Sequence, residues 1–325
     1  MTEPGWGPTG SLEALRARAA ALGAARDFMA RRGVLEVETP ALVAHSTTDP
    51  GIESLPVANG SDTQWLRTSP EFHMKRLLAA GAPDIYQLGK AFRAAESGRL
   101  HEPEFTLLEW YRLGFTAKRM ATETVELIQT VAEVLGSPWP QAPALTYREA
   151  FTGTVNLDPV TASMAELLDC CATQPGWHAG LEAAMAADRD ALLDFIASHG
   201  VWPALPRDTL VVVQEFPLAQ ALLARPSAAD PDAAERFEVF LNGIELGNGY
   251  HELQDAAEHR RRFAADNALR RRRAQPEMTP DAQLLAALDA GLPDCAGVAV
   301  GIDRIILCAL QEEELSGVIS FSSGS

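Results

Sequence analysis

Apolar residues recur at helical spacing at Leu12, Leu15, Ala19, Leu22 and Phe28, with arginines between them. That period predicts a helix over residues 11 to 32, with Ser11 placed to cap its first turn and Gly33 to end it. Val34 to Glu38 alternates apolar and acidic residues up to Pro40, the pattern of a strand that ends at or lies on an edge, because proline donates no ladder bond. Residues 43 to 62 are rich in Ser, Thr, Pro and Gly and read as loop. Gln64 to Thr68 predicts a short strand, Pro70 to Gly81 a helix through Met74, Leu77 and Leu78, and Phe105 to Leu113 a mainly buried strand. A helical period spans Lys118 to about Gly136. An Ala- and Leu-rich stretch broken by Pro175-Gly176 predicts a helical insertion at about 160–205, structural in role because it carries almost no convergent polar chemistry.

A new strand set begins at Leu210 to Val213 and continues through Phe237 to Leu241, Asn242-Gly243, and Ile244 to Leu246. Asn-Gly between two alternating runs is a strong hairpin signal. With those two residues as the turn, Leu241 faces Ile244 and Phe240 faces Glu245, so Glu238 and Glu245 lie diagonally on one face of the ladder. Carboxylates placed so closely repel unless a cation lies between them, and hard oxygen ligands favour Mg2+. Gly247-Asn248-Gly249 permits a bulge that would turn Glu252 toward the same cavity. A helix near 281–290, a glycine-punctuated run from Gly297 to Gly301, and an apolar helix after Asp303-Arg304 close the chain. Hairpins with interspersed helices and no regular βαβ rhythm give an α+β class, an antiparallel β-sheet flanked by helices.

Composition narrows the chemistry. Against 27 Lys and Arg stand 44 Asp and Glu, a net charge of −17, which argues against a broad nucleic-acid surface. No apolar run approaches the roughly 20 residues of a membrane span, and the first ten residues lack the pattern of a signal peptide. A cytoplasmic protein with no membrane contact is expected. Cys170, Cys171, Cys295 and Cys308 have no metal-binding spacing and read as reduced thiols. Gly89-Lys90-Ala91 has neither the glycine spacing nor the hydroxyl of a P-loop, and His251-Glu252 is not followed by the second histidine of a zincin. Phosphate chemistry therefore falls to arginines and carboxylate-held Mg2+. Arg260–Arg262 and Arg270–Arg273 form a basic patch that reads either as a solvated helix face or as a dock for an acidic partner.

Four segments concentrate charge in apolar or turn-like surroundings: Thr68-Ser69-Pro70-Glu71, Phe92 to Phe105, Glu238 to Glu252, and Gly301 to Arg304. Glu109 stands out because an acid among Phe105, Leu108 and Trp110 is expensive to bury unpaired. Phe92-Arg93 with Arg99 to Tyr111 resembles motif 2 of the class II lysyl-tRNA synthetases. Gly297 to Arg304 resembles motif 3, and Arg32 to Pro40 resembles the motif 1 segment that forms the class II dimer interface. Only about thirty residues precede motif 1, too few for the OB-fold anticodon domain on the order of a hundred residues that a synthetase carries there. The resemblance thus implies a single class II synthetase-like catalytic domain over residues 1–325 without an anticodon-binding domain, similar to the elongation factor P lysine ligases. Ala299 fits that choice, since the synthetases usually have glycine there, whereas Gly247 stands where the ligases have alanine.

The resemblance implies a ligase that uses ATP and Mg2+ to activate (R)-β-lysine or lysine as an adenylate and attach it to a lysine of elongation factor P, working as a homodimer with tRNA an unlikely partner. It gives Arg93 and Arg304 the catalytic role of clamping the phosphates. Glu96, Glu102, Phe105, Glu245, Leu246 and Gly301 join them in binding ATP, with Phe105 under adenine. Glu238 and Glu245 hold the metal. Ser69, Pro70, Glu71, Glu109, Tyr111, Asn248, Tyr250 and Glu252 form the amino-acid pocket. The family has Asn-Glu after Arg93, where this chain has Ala94-Ala95. Either Glu96 takes over the adenine amino group, or backbone and stacking alone hold the base. A truncated lysyl-tRNA synthetase-like enzyme and a non-catalytic lysine- or nucleotide-binding paralogue are the alternative readings.

Overall fold

In a computed structural model that describes residues 6–60, 62–94 and 96–323, the chain opens with α1 (Leu12–Arg31), capped as expected by the Ser11 hydroxyl on Ala14 N–H and followed by Gly33 at φ +69°. Then come β1 (Leu35–Glu36), β2 (Leu42–Val43), β3 (Pro56–Asn59), β4 (Asp62–Leu66), α2 (Glu71–Ala79), β5 (Ile85–Phe92) and β6 (Glu104–Leu113). The middle of the chain carries α3 (Ala117–Val134), β7 (Leu145–Thr146), α4 (Tyr147–Val155), α5 (Met164–Ala172), α6 (Ala179–Met185), α7 (Arg189–Ile196), β8 (Leu210–Pro217), β9 (Ala233–Leu241) and β10 (Ile244–His251). It ends with α8 (Ala256–Arg272), α9 (Ala282–Gly291), β11 (Cys295–Gly301) and α10 (Ile302–Leu310). The run of residues 43–62, expected as loop, contains β3; only Val57 of its four residues turns partly inward, so no alternation marks it.

The chain divides into two compact units, one of Met1–Thr116, Glu126–Pro138 and Glu252–Ser325, the other of Ala117–Val125 and Trp139–His251. The first contains the strand order β1-β5-β6-β11, in which β6 runs antiparallel to both β5 and β11 and β1 lies parallel to β5. Leu108 and Trp110 of β6 are fully buried on one face, which leaves Glu109 and Tyr111 side by side on the other. Register places Gly297 opposite Tyr111 and Ala299 opposite Glu109. Asp303, at the start of α10, accepts Thr106 N–H at 2.7 Å and pairs with Arg18 of α1 at 2.5 Å, tying the helix start to β6.

The second unit contains β10-β9-β8-β7, antiparallel except for the β7–β8 pair. Helices α4 and α7 cover this sheet with Tyr147, Phe151, Leu192 and Ile196, packed in one cluster with Val211, Val213 and Phe240. The hairpin turn takes the register that the sequence implies, Leu241 opposite Ile244 and Phe240 opposite Glu245, with Asn242 at φ +53° and Gly243 at φ +78°. The bulge falls between Glu245 and Gly247, at Leu246, one step before the Gly247-Asn248-Gly249 run.

Candidate active site

Within the first unit, the turn before α2 brings Ser69 to β6. The Ser69 hydroxyl donates to Glu109 Oε2 at 2.6 Å and accepts Glu71 N–H at 3.0 Å, while Pro70 sits at the helix cap. Tyr111 OH donates to the other oxygen of Glu109 at 2.8 Å. Glu252 lies against the same group and is 1% exposed; its N–H bonds Cys295 O at 3.0 Å, and its carboxylate accepts Gly297 N–H. A Cβ at Gly297 would stand 2.4 Å from Tyr111 Cε1 and 2.5 Å from Glu252 Oε1, so only glycine leaves these two side chains where they are.

Burial governs the protonation of this cluster. It pushes Glu109 up to about 8, with the charges of Glu71 and Glu252 adding to the effect against the hydrogen bonds from Ser69 and Tyr111. Burial likewise raises Glu252 to about 7, opposed by Lys75. The Tyr111 hydroxyl is held well above its ordinary range by burial and then by Glu109, so it stays a donor. Lys75 is a residue of this cluster that sequence reasoning missed. It has no exposed surface, and its Nζ lies 2.6 Å from Glu71 Oε1 and 2.7 Å from Glu252 Oε2. The available signal was a lysine four residues after Glu71 and next to Met74 on the buried side of α2. This cluster of acids, with Glu109 and Glu252 buried beside a phenol and a hydroxyl, gathers carboxylate acceptors of the kind that suit ammonium groups.

The same unit holds the expected phosphate side chains. Arg93 lies 5.1 Å from the Phe105 ring centroid, and its Nη1 reaches Glu96 Oε1 at 3.4 Å. Its buried Nε has no hydrogen-bond partner among the described residues, a donor left for a ligand. Arg304, in the first turn after Gly301, donates to His101 Nε2 at 2.9 Å. Glu102 accepts both the N–H and the hydroxyl of Ser323, at 3.1 and 2.7 Å. Ala95 lies outside the described residues, so the departure at Ala94-Ala95 is placed only at Ala94, whose N–H bonds Glu53 O.

In the second unit Glu238 is 6% exposed and Oε1 accepts from Arg236 at 2.5 Å and from Asn248 Nδ2 at 3.2 Å. Burial pushes it up to about 7; Arg236 opposes this and Glu245 adds to it, so the two acids sense each other as the hairpin arithmetic requires. Asn248 Oδ1 is buried without a hydrogen-bond partner among the described residues. Leu246 is buried, and Tyr250 packs on Ala221, Ala224 and Ala234. Among the described residues no three His, Cys, Asp or Glu side chains gather as a metal cluster.

The basic patch is largely spoken for. Arg260 pairs with Asp289, Arg261 and Arg262 share Glu258, Arg271 meets Glu277 at 2.5 Å, and Arg270 is buried on the carbonyls of Thr48, Asp49 and Ile52. Those pairings favour the plain helix face over a dock for an acidic partner. No helix of the described residues is long and apolar enough to cross a membrane.

The family model for tRNA synthetases class II (D, K and N) matches residues 9–324. The chain is 47% identical over 330 residues to a protein of Vibrio cholerae named elongation factor P–(R)-beta-lysine ligase, covering 99% of this chain and 98% of that one. Proteins of the same name from Pectobacterium carotovorum and Haemophilus influenzae are 45% and 42% identical, each over 98% of this chain and 97% of their own length.

Proposed function

The chain belongs to the class II tRNA synthetases of the D, K and N group, and from that premise we propose that it is an ATP-dependent ligase that activates (R)-β-lysine, or lysine, as an aminoacyl-adenylate and transfers it to a lysine ε-amine of elongation factor P. The observation that carries this reading is the cluster of buried Glu109 and Glu252 and half-buried Glu71 with Ser69 and Tyr111. Each hydrogen bond from a ligand ammonium to such an acid contributes about 1.5–3 kcal/mol, and the same acids repel aspartate or glutamate. Relatives 42–47% identical over nearly the whole chain bear the ligase name, which favours this reading over tRNA charging or a non-catalytic paralogue. Their printed names specify (R)-beta-lysine; Ala299, opposite Glu109, is the residue expected of the ligases, whereas Gly247 is the one expected of the synthetases.

In the first step a carboxylate oxygen of the amino acid attacks the α-phosphorus, and the bond to the bridging oxygen of pyrophosphate breaks. Arg93 and Arg304 offset the negative charge gathering on the phosphoryl oxygens. In the second step the target amine attacks the acyl carbon, AMP leaves with the bonding electrons, and the amine proton passes to solvent. Glu238, Glu245 and the open Asn248 Oδ1 offer the oxygen donors that Mg2+ takes. When bound, Mg2+ supplies positive charge against the triphosphate. Leu35 and Leu42, 52% and 41% exposed in and beside the motif 1 segment, support assembly as a homodimer. Four free thiols fit a reducing cytoplasm.

Amino-acid-dependent exchange of pyrophosphate into ATP tests the reading. Exchange with (R)-β-lysine, less with lysine, and none with aspartate or asparagine is expected. Exchange driven by aspartate or asparagine alone would discard it.

A further inference from the structure

Lys75 is a cation in contact with the Glu71 and Glu252 acids that the proposed reaction does not use. A lysine with no exposed surface is rare, and burial alone would drive its ammonium toward the neutral form. Here burial is outweighed by Glu252 and Glu71, which hold Lys75 above its ordinary range. The ammonium spends itself on one oxygen of each acid, Oε1 of Glu71 and Oε2 of Glu252. Glu109, by contrast, is bonded by the neutral Ser69 and Tyr111 hydroxyls. Two carboxylates thus touch the internal ammonium and Glu109 stands beside them; once a bound cation draws all three into the ionised form, the cluster carries an excess of two negative charges, the number of ammonium groups that a diamino acid brings.

We propose that Lys75 is a positioning and charge-setting residue of the amino-acid pocket: its tethered ammonium orients the Glu71 and Glu252 carboxylates and trims the pocket charge to match a ligand with two ammonium groups. The ligase reading supplies the identity of that ligand. The other groups facing Lys75 do not do this work. His259 of α8 is kept neutral, pushed down to about 4 by burial and then by Lys75 itself. Cys295 of β11 has its thiol raised by burial and by Glu252, which keeps it protonated. Arg67 adds a distant field to Glu109, with its guanidinium on the carbonyls of Thr39 and Lys90.

Without Lys75, burial and the neighbouring acids push Glu252 further toward its protonated form, a poor acceptor for an ammonium, and the Glu71 carboxylate loses the partner that orients it. Lys75→Met is therefore expected to raise the KM for (R)-β-lysine or lysine roughly 10- to 100-fold at pH 7, the weight of one or two charge-assisted bonds, with kcat within about threefold. The fall of KM with rising pH, expected of the wild type as Glu252 and Glu109 ionise, is expected to move upward by about one pH unit or more in the variant. A folded Lys75→Met protein with unchanged KM and pH profile, or with kcat lost and KM kept, overturns the proposal.

Should the single variant fail to fold, the comparison of Glu252→Gln with Lys75→Met/Glu252→Gln decides. The double variant restores the charge excess and is expected to bind the amino acid more tightly than Glu252→Gln; equal or weaker binding overturns the proposal. Wild-type protein that lacks exchange activity counts against the ligase reading instead, and calorimetric titration with lysine then reads the Lys75 effect directly. Absence of any lysine binding by the wild type ends both.

Discussion

Gly297 shows how much one hydrogen atom decides. A methyl there meets Tyr111 and Glu252, and neither can yield: Tyr111 is held by Glu109, Glu252 by Lys75. Overpacking of this kind costs about 1–3 kcal/mol, so Gly297→Ala is expected to lower the Tm by several degrees and to raise the KM for the amino acid by about tenfold or more. Scanning calorimetry and exchange kinetics would show it, and a variant indistinguishable from wild type would refute the close approach. The raised acids have a second consequence. In the ligand-free fold Glu109 at about 8 and Glu252 at about 7 retain protons that unfolded carboxylates release near 4.5. Stability contributed by those protons is complete below about 4.5 and is lost as pH rises through 7 to 8. His259, at about 4 against its ordinary 6.5, acts in the opposite sense, and its contribution is complete above 6.5. Between pH 6.5 and 8.5 the ligand-free Tm should therefore fall, while the rise in Tm caused by added lysine should grow; a flat ligand-free profile contradicts the assignment. Glu109 was legible in the sequence because its neighbours are apolar. Lys75 and Arg236 were not, because a long basic side chain in a periodic run reads equally well as one that carries its charge out to water.

At the level of elements, the β9–β10 hairpin was the most legible feature. Asn242-Gly243 fixed both turn and register, and the register brought Glu238 and Glu245 to one face. Gly243→Ala tests this turn: φ +78° suits glycine, and a Cβ would lie 3.0 Å from Trp202 O, so a loss of about 1–2 kcal/mol is expected, measured by urea unfolding. No loss would mean that the turn is not as described. The bulge at Leu246 was harder to place, because the three-residue Gly247-Asn248-Gly249 run suggests a bend just after the position that takes it. Strand β5 was passed over for a different reason. Ile85, Tyr86 and Gln87 are all buried, so its first half shows no alternation, only apolar residues next to a glutamine. In α8 the arginine runs advertised a surface function, yet Glu258 on the same helix pairs Arg261 and Arg262 at helical spacing, while Glu277 and Asp289, partners of Arg271 and Arg260, lie beyond the helix and become visible only once it packs.

For the molecule as a whole, the pocket gathers Ser69, Glu109, Glu252 and Gly297 from positions spread over more than two thirds of the chain, all inside the first compact unit. No periodicity reveals such a meeting; the resemblance of three ordered motifs to class II synthetases did, because a motif carries its tertiary setting with it. If the motif 1 segment joins two copies, sedimentation velocity will find a dimer, and Leu35→Glu/Leu42→Glu will shift it toward monomer, whereas a monomeric wild type would remove that part of the account. Most direct for the central claim is the intact mass of elongation factor P after incubation with this protein, ATP, Mg2+ and (R)-β-lysine. One added β-lysyl unit on a single lysine, dependent on ATP and abolished by Arg304→Ala, is the result that the account predicts. An unmodified factor in a reaction that forms the adenylate, or transfer to tRNA in its place, would contradict it.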